Sequence, residues 1–164
     1  MDPKLQSFLE KIGFLESSSG KNVVHKRMTS GLHEGEAAMG RYGIMPNTAQ
    51  EFITRRKSRG QFGPDENVMS QMDPDQLTDF LAQNKRAEQN LAQDIGSRVL
   101  KRAGGDEEKA AYLWNMGHNL DPKNITQEDL DQSEYVQRFR RLKTLMDAKK
   151  DQDENSDVIN TTNS

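Results

Sequence analysis

Glu16 stands at the end of an apolar stripe. Leu5, Phe8, Leu9 and Ile12 recur at three- and four-residue steps, and one more turn of the same row reaches Glu16, beside Leu15. A carboxyl on the core-facing side of a helix loses hydration. That raises its pKa toward neutrality and lets it donate a proton near pH 7. The spacing therefore offers a general acid. The competing role is structural, with Glu16 turned out past the helix end or paired with Lys26, Arg27 or Arg41. Two further carboxylates, Glu34 and Glu36, lie in the charged segment that follows. Either could activate a water molecule if the fold carried it to Glu16; otherwise they are solvated loop residues. His25, His33 and His118 lack the i, i+4 spacing of a helical metal pair, and the chain has no cysteine, so neither a metal nor a cofactor is expected.

The elements that must position Glu16 read as helices. Asp2 and Pro3 form a cap and first turn, which predicts a helix through about residue 17. Residues 18–45 hold five glycines and little periodicity, predicting a long ordered loop or a small hairpin. Asn47 and Gln50 have the spacing of a capping box for a helix that carries Phe52 and Ile53 and ends near Gly60. Its basic end, Arg55, Arg56, Lys57 and Arg59, complements the helix dipole as a solvated run.

After the break at Gly63 and Pro64, two or three helical segments follow up to Gly104 and Gly105. The last of them carries Leu91, Ile95 and Val99 on one stripe. Asp106 caps a short helix to about Asn115, and Thr126 or Ser133 opens a final one bearing Tyr135, Phe139, Leu142 and Met146. The methionines read as core filling. The fold class expected is mainly α, a single helical domain over residues 1–149. Residues 150–164 are too polar to offset the entropy of ordering and are expected to be a disordered acidic tail.

Composition narrows the partners. The net charge is −3 with 30% charged residues of both signs, so no basic field invites nucleic acid. Hydrophobic residues make up 32% of the chain and the mean hydropathy is −0.96, which implies a small core. No apolar run approaches the length of a membrane span and no signal-peptide pattern follows Met1, so no transmembrane segment is expected and the delivery route is not legible.

Four short motifs in order carry a resemblance: the Glu16-Ser17 pair, AMGRYGIMPNTA from Ala38 to Ala49, AAYLWNMGHN from Ala110 to Asn119, and SEYVQRF from Ser133 to Phe139. Together they resemble the lytic transglycosylases of the goose-lysozyme-like superfamily. There a Glu-Ser pair ends a helix, a Gly-Leu-Met-Gln-Ile-Met-Pro-x-Thr-Ala segment follows, an Ala-Tyr-Asn-Ala-Gly segment comes later, and a Tyr-Val pair opens the last core helix. The resemblance spans about residues 5 to 146 and implies a lysozyme-like helical domain with Glu16 as its catalytic acid and Ser17 as the acid's companion. Gly40, Tyr42, Ile44, Met45 and Pro46 fall on the glycine-rich motif, and Trp114, Asn115 and Gly117 on the aromatic-Asn-x-Gly motif, with Trp114 as a platform for a sugar ring. Tyr135 matches the family tyrosine that approaches the acid. Gly43 departs from the pattern, standing where the family has Gln. His118 replaces a proline, Met116 a small alanine, and the stretch from Glu16 to Gly40 is longer than the family pattern.

What the resemblance implies is cleavage of the MurNAc-GlcNAc β-1,4 bond of peptidoglycan glycan strands, forming 1,6-anhydro-MurNAc ends. The enzyme would be a monomer acting on the cell wall in a periplasmic, extracellular or virion-associated setting. One alternative is a hydrolytic muramidase that uses a second carboxylate, Glu34 or Glu36. Another is an inactive peptidoglycan-binding or structural protein with the same fold, which Gly43 in place of Gln would favour.

Overall fold

The computed structural model describes residues 1–17, 24–27 and 37–162, and the chain is mainly helical. Helix α1 (Pro3–Ser17) starts where the Asp2 carboxylate accepts the backbone N–H of Lys4 at 2.8 Å. Its stripe is fully used: Phe8 and Ile12 are completely buried, and Leu9 nearly so. Strands β1 (Val24–Arg27) and β2 (Ala37–Met39) pair antiparallel, Val24 opposite Met39 and Arg27 opposite Ala37, with an irregularity between. This is the hairpin that the glycine-rich segment allows.

Helix α2 (Pro46–Ser58) begins one residue before the expected cap. Met45 is the N-cap and makes no side-chain bond, and Pro46 takes the first helical position, where its missing N–H has no cost. The basic run at the far end of α2 is not simply solvated. Arg56 bonds Glu66 and Asp94, each at 2.9 Å, and Arg59 reaches Asp94 at 3.3 Å, which ties α2 to two helices further along the chain.

Helices α3 (Pro64–Met69), α4 (Pro74–Gln83) and α5 (Lys85–Arg102) follow. Helix α5 is the long central element, burying Ala87, Leu91, Ala92, Ile95 and Val99. At Gly96 it approaches α1 so closely that an added Cβ would lie 2.8 Å from Leu5 Cδ1 and 3.1 Å from Leu9 Cδ2. Gly104 and Gly105 end α5 with positive φ, and the Gly105 N–H returns to the Leu100 carbonyl at 2.9 Å.

Helix α6 (Glu107–Met116) is capped by Asp106, which accepts from the Glu108 and Lys109 N–H groups. Thr126 caps α7 (Gln127–Gln132), and Ser133 caps the long helix α8 (Glu134–Thr162), so both candidate starts are used. Helices α1, α6 and α8 meet at Phe8, whose ring lies 6.3 Å from Trp114 and 5.9 Å from Phe139. The tail is set apart from the body, since every side chain from Asp147 to Asp153 is exposed. The backbone of α8 runs to Thr162. A helix rooted in a packed segment adds one hydrogen bond per residue without a new nucleus.

Candidate active site

Glu16 comes from the last turn of α1, and the turn at residues 40–43 that leads toward α2 closes over it. Gly43 has φ +63°, and a Cβ there would fall within 2.8 Å of the Glu16 Cδ and nearer still to its Oε2. Backbone therefore covers the carboxyl where most residues would place a side chain. Burial pushes the Glu16 pKa from 4.5 to about 7, against the opposing effects of the Tyr135 hydroxyl and the Arg138 charge. Tyr135 faces Glu16 from the first turn of α8. Its hydroxyl pKa is raised well above the ordinary value by burial first and the neighbouring Glu16 second, and its oxygen has no partner at full hydrogen-bond geometry.

One cleft of about 440 Å³ gathers Glu16, Gly43, Ile44, Met45, Trp114 and Asn115. Trp114 is half-buried against Phe8, and Asn115 is exposed into the cleft. Asn115 and Met116 also border a second hollow of about 570 Å³, which Tyr135 and Arg138 line. Glu16, Trp114, Asn115 and Tyr135 are thus neighbours although three helices supply them. Met116, expected from sequence to fill the core, is 58% exposed at the edge of both hollows.

Three site candidates lie elsewhere. Ser17 is buried, and its hydroxyl donates to the Gly13 carbonyl at 2.6 Å, so it fastens the end of α1. Tyr42 is buried away from the cleft and donates its hydroxyl to Gln89 Oε1 at 2.6 Å. Gly40 (φ +62°) packs on the buried carboxyl of Glu88, which a Cβ would overlap. Glu88 accepts the backbone N–H groups of Arg41 and Tyr42, and burial drives its pKa up to about 7 despite them. Its Oε2 has no hydrogen-bond partner. Gly40, Tyr42 and Glu88 build the turn that presents Gly43, Ile44 and Met45. Glu34, Glu36 and His33 lie outside the described residues.

The cleft also contains polar residues that are not among the site candidates: four lie within or at the ends of the two longer motifs, and Glu51 lies outside them. Asn47, Thr48 and Glu51 share one face of α2, and His118 and Asn119 follow Gly117 after α6. Glu51 accepts from Arg55 at 3.0 Å, from His118 Nε2 at 2.8 Å and from Asn119 Nδ2 at 3.5 Å. Partial burial opposes its ionisation, but these bonds outweigh burial and hold the Glu51 carboxyl below the usual carboxylate pKa. Arg98 closes the ring, donating its Nε–H to His118 Nδ1 at 3.1 Å and an NH2 to Asn119 Oδ1 at 2.8 Å. A guanidinium only donates, so Nδ1 is the acceptor and the His118 proton sits on Nε2, aimed at Glu51. Burial lowers the His118 pKa and outweighs the attraction of Glu51.

Among the described residues no group of three or more His, Asp or Glu is placed to hold a metal, and no helix is long and apolar enough to cross a membrane. Comparison with known proteins finds no matching family model, curated protein or solved structure.

Proposed function

We propose that the cleft cleaves the MurNAc-GlcNAc bond of peptidoglycan glycan strands, with Glu16 as both acid and base, and leaves 1,6-anhydro-MurNAc ends. The observation that carries this reading is a desolvated carboxyl with a pKa near 7, covered by glycine backbone and set beside Trp114 and Asn115 in one cleft. Protonated Glu16 gives its proton to the bridging oxygen as the bond to the muramic anomeric carbon breaks. Glu16, now ionised, takes the proton of the muramic 6-hydroxyl, whose oxygen closes onto that carbon. No water is consumed, and no second carboxylate is required. The indole of Trp114 suits an apolar sugar face, and the Asn115 amide suits a hydroxyl or acetamido group. The setting is the cell wall, and the chain acts as a monomer.

Mass spectrometry of digested peptidoglycan tests the reading directly. Anhydro-muramic ends released by the wild type and lost with Glu16→Gln are the expected result. A folded protein that releases no muramic ends leaves the binding or structural alternative in its place.

A further inference from the structure

Glu51 has no part in that reaction, yet it lines the same cleft as Glu16. It is held from several sides for a residue so near the surface. Arg98 fixes the His118 tautomer, His118 Nε2–H fixes Glu51 Oε2, and Arg55 and Asn119 fix Oε1. Phe52 holds the ring in place, its centroid 5.0 Å from that of His118 and 5.4 Å from the Arg55 guanidinium carbon. A carboxylate can accept about four hydrogen bonds, and these contacts use three. The Glu51 side chain remains 34% exposed, so water reaches the oxygens that the ring orients.

Two carboxyl groups in one cleft, one kept neutral by burial and one kept ionised by donors, are the arrangement of an acid and a base. We propose that Glu51 is a second catalytic carboxylate, which activates water in the cleft and gives the enzyme a hydrolytic branch beside anhydro formation. In that branch Glu16 donates its proton to the leaving oxygen and the glycosidic bond breaks. The water oxygen bonds to the anomeric carbon, and the proton it sheds passes to Glu51. One water is consumed, and solvent exchange restores both carboxyl groups. Displacement by base-activated water inverts the anomeric centre, so the new reducing end is born α. The inference rests on peptidoglycan being the substrate, and it takes the role of second carboxylate from Glu34 and Glu36 and gives it to Glu51.

The test digests purified peptidoglycan with the wild type and with Glu51→Gln, counting anhydro and reducing muramic ends by mass. Proton NMR at early times reads the anomer of the reducing ends made by the wild type. The expected result is both kinds of end from the wild type, the reducing ends α at first, and a reducing-to-anhydro ratio at least about tenfold lower in Glu51→Gln. Anhydro ends alone from the wild type, or β reducing ends at first, overturn the inference and leave the proposed function standing. A folded Glu51→Gln whose ratio is unchanged, or which loses both products together, overturns it equally. Failure of the wild type to release either end removes the proposed function itself. Where Glu51→Gln does not fold, Glu51→Asp, which draws the carboxylate back from the water, takes its place: a lowered ratio supports the inference and an unchanged ratio overturns it.

Discussion

The backbone of Gly43 and the carboxyl of Glu16 occupy adjoining space that no side chain could share. A Cβ on Gly43 would come within 2.8 Å of Glu16 Cδ, and the residue holds φ +63°. Substitution therefore meets two obstacles. A non-glycine residue at this φ costs about 1–2 kcal/mol, and its Cβ must displace the carboxyl from its place beneath the turn. Gly43→Ala is expected to lower the melting temperature and to cut glycan release at least about tenfold, because a misplaced acid loses its alignment. Gly43→Gln, which restores the residue of the resembling family, is expected to be at least as damaging. Higher activity in Gly43→Gln than in the wild type would show that the turn can reopen around a side chain.

The raised pKa of Glu16 fixes the sign of two pH dependences. In the proposed role of proton donor it must be neutral, so activity is expected to fall above a midpoint near pH 7, where the carboxyl ionises. The native state also holds this proton more tightly than the unfolded chain does. The stabilisation is fully present below about pH 4.5 and is lost as the pH rises through about 7. Glu16→Gln should therefore lose about 100-fold or more in rate while gaining stability relative to the wild type as the pH is raised across that window. Denaturant melts at pH 5 and pH 8 beside a turbidity assay measure both. A variant that loses stability steadily with rising pH relative to the wild type contradicts the assigned ionisation.

Tyr135→Phe separates the electrostatic role of Tyr135 from its packing. The hydroxyl favours the ionised form of Glu16, so its removal should raise the Glu16 pKa further and move the upper pH limit of activity to higher pH. The same hydroxyl is buried without a partner at full geometry, and phenylalanine keeps the ring, so the melting temperature should hold or rise. An upper limit that moves to lower pH would mean that the hydroxyl stabilises the neutral acid instead.

How much of the fold and site is legible in the sequence depends on where each signal lies along the chain. Glu16 is legible because its row, 5, 8, 9, 12, 16, belongs to a single helix. Helix ends are legible because glycine, proline and capping residues act locally: Gly104 and Gly105 end α5, and Asp106 starts α6. Tyr42 is misplaced by its motif because a motif gives sequence neighbours and not directions, and its hydroxyl turns to Gln89 on α5. Glu51 escapes notice because it sits among the charges of a polar helix, and its ring closes only when α2, α5 and the segment after α6 meet. Glu88 carries the same signal as Glu16. It lies on the row 88, 92, 95, 99 with Ala92, Ile95 and Val99, so the apolar stripe of α5 also marks a buried carboxyl.

That second buried carboxyl gives the last prediction. Glu88 is 4% exposed, supports the turn at residues 40–43 from beneath, and has a pKa near 7. Burial is the main cause, and the N–H groups of Arg41 and Tyr42 only partly compensate. Because the folded pKa lies above the ordinary value of 4.5, the native state gains from this group below about pH 4.5 and loses that gain as the pH passes through about 7. Glutamine is close to isosteric with a protonated carboxyl. It keeps one oxygen for the two backbone donors and carries no charge to desolvate. Glu88→Gln should therefore gain stability over the wild type as the pH rises, on the order of 2–3 kcal/mol between pH 4.5 and pH 8. Glu88→Ala should lose stability at every pH, since it leaves a void and two buried N–H groups without an acceptor. Because the turn presents Gly43 to Glu16, the alanine variant should also lose activity, whereas the glutamine variant should retain most of it. Urea titrations of the three proteins at several pH values, each with a glycan-release assay, provide the measurement. A constant difference in stability between Glu88→Gln and the wild type across that range would mean that Glu88 is ionised in the fold and holds the turn as a charged acceptor.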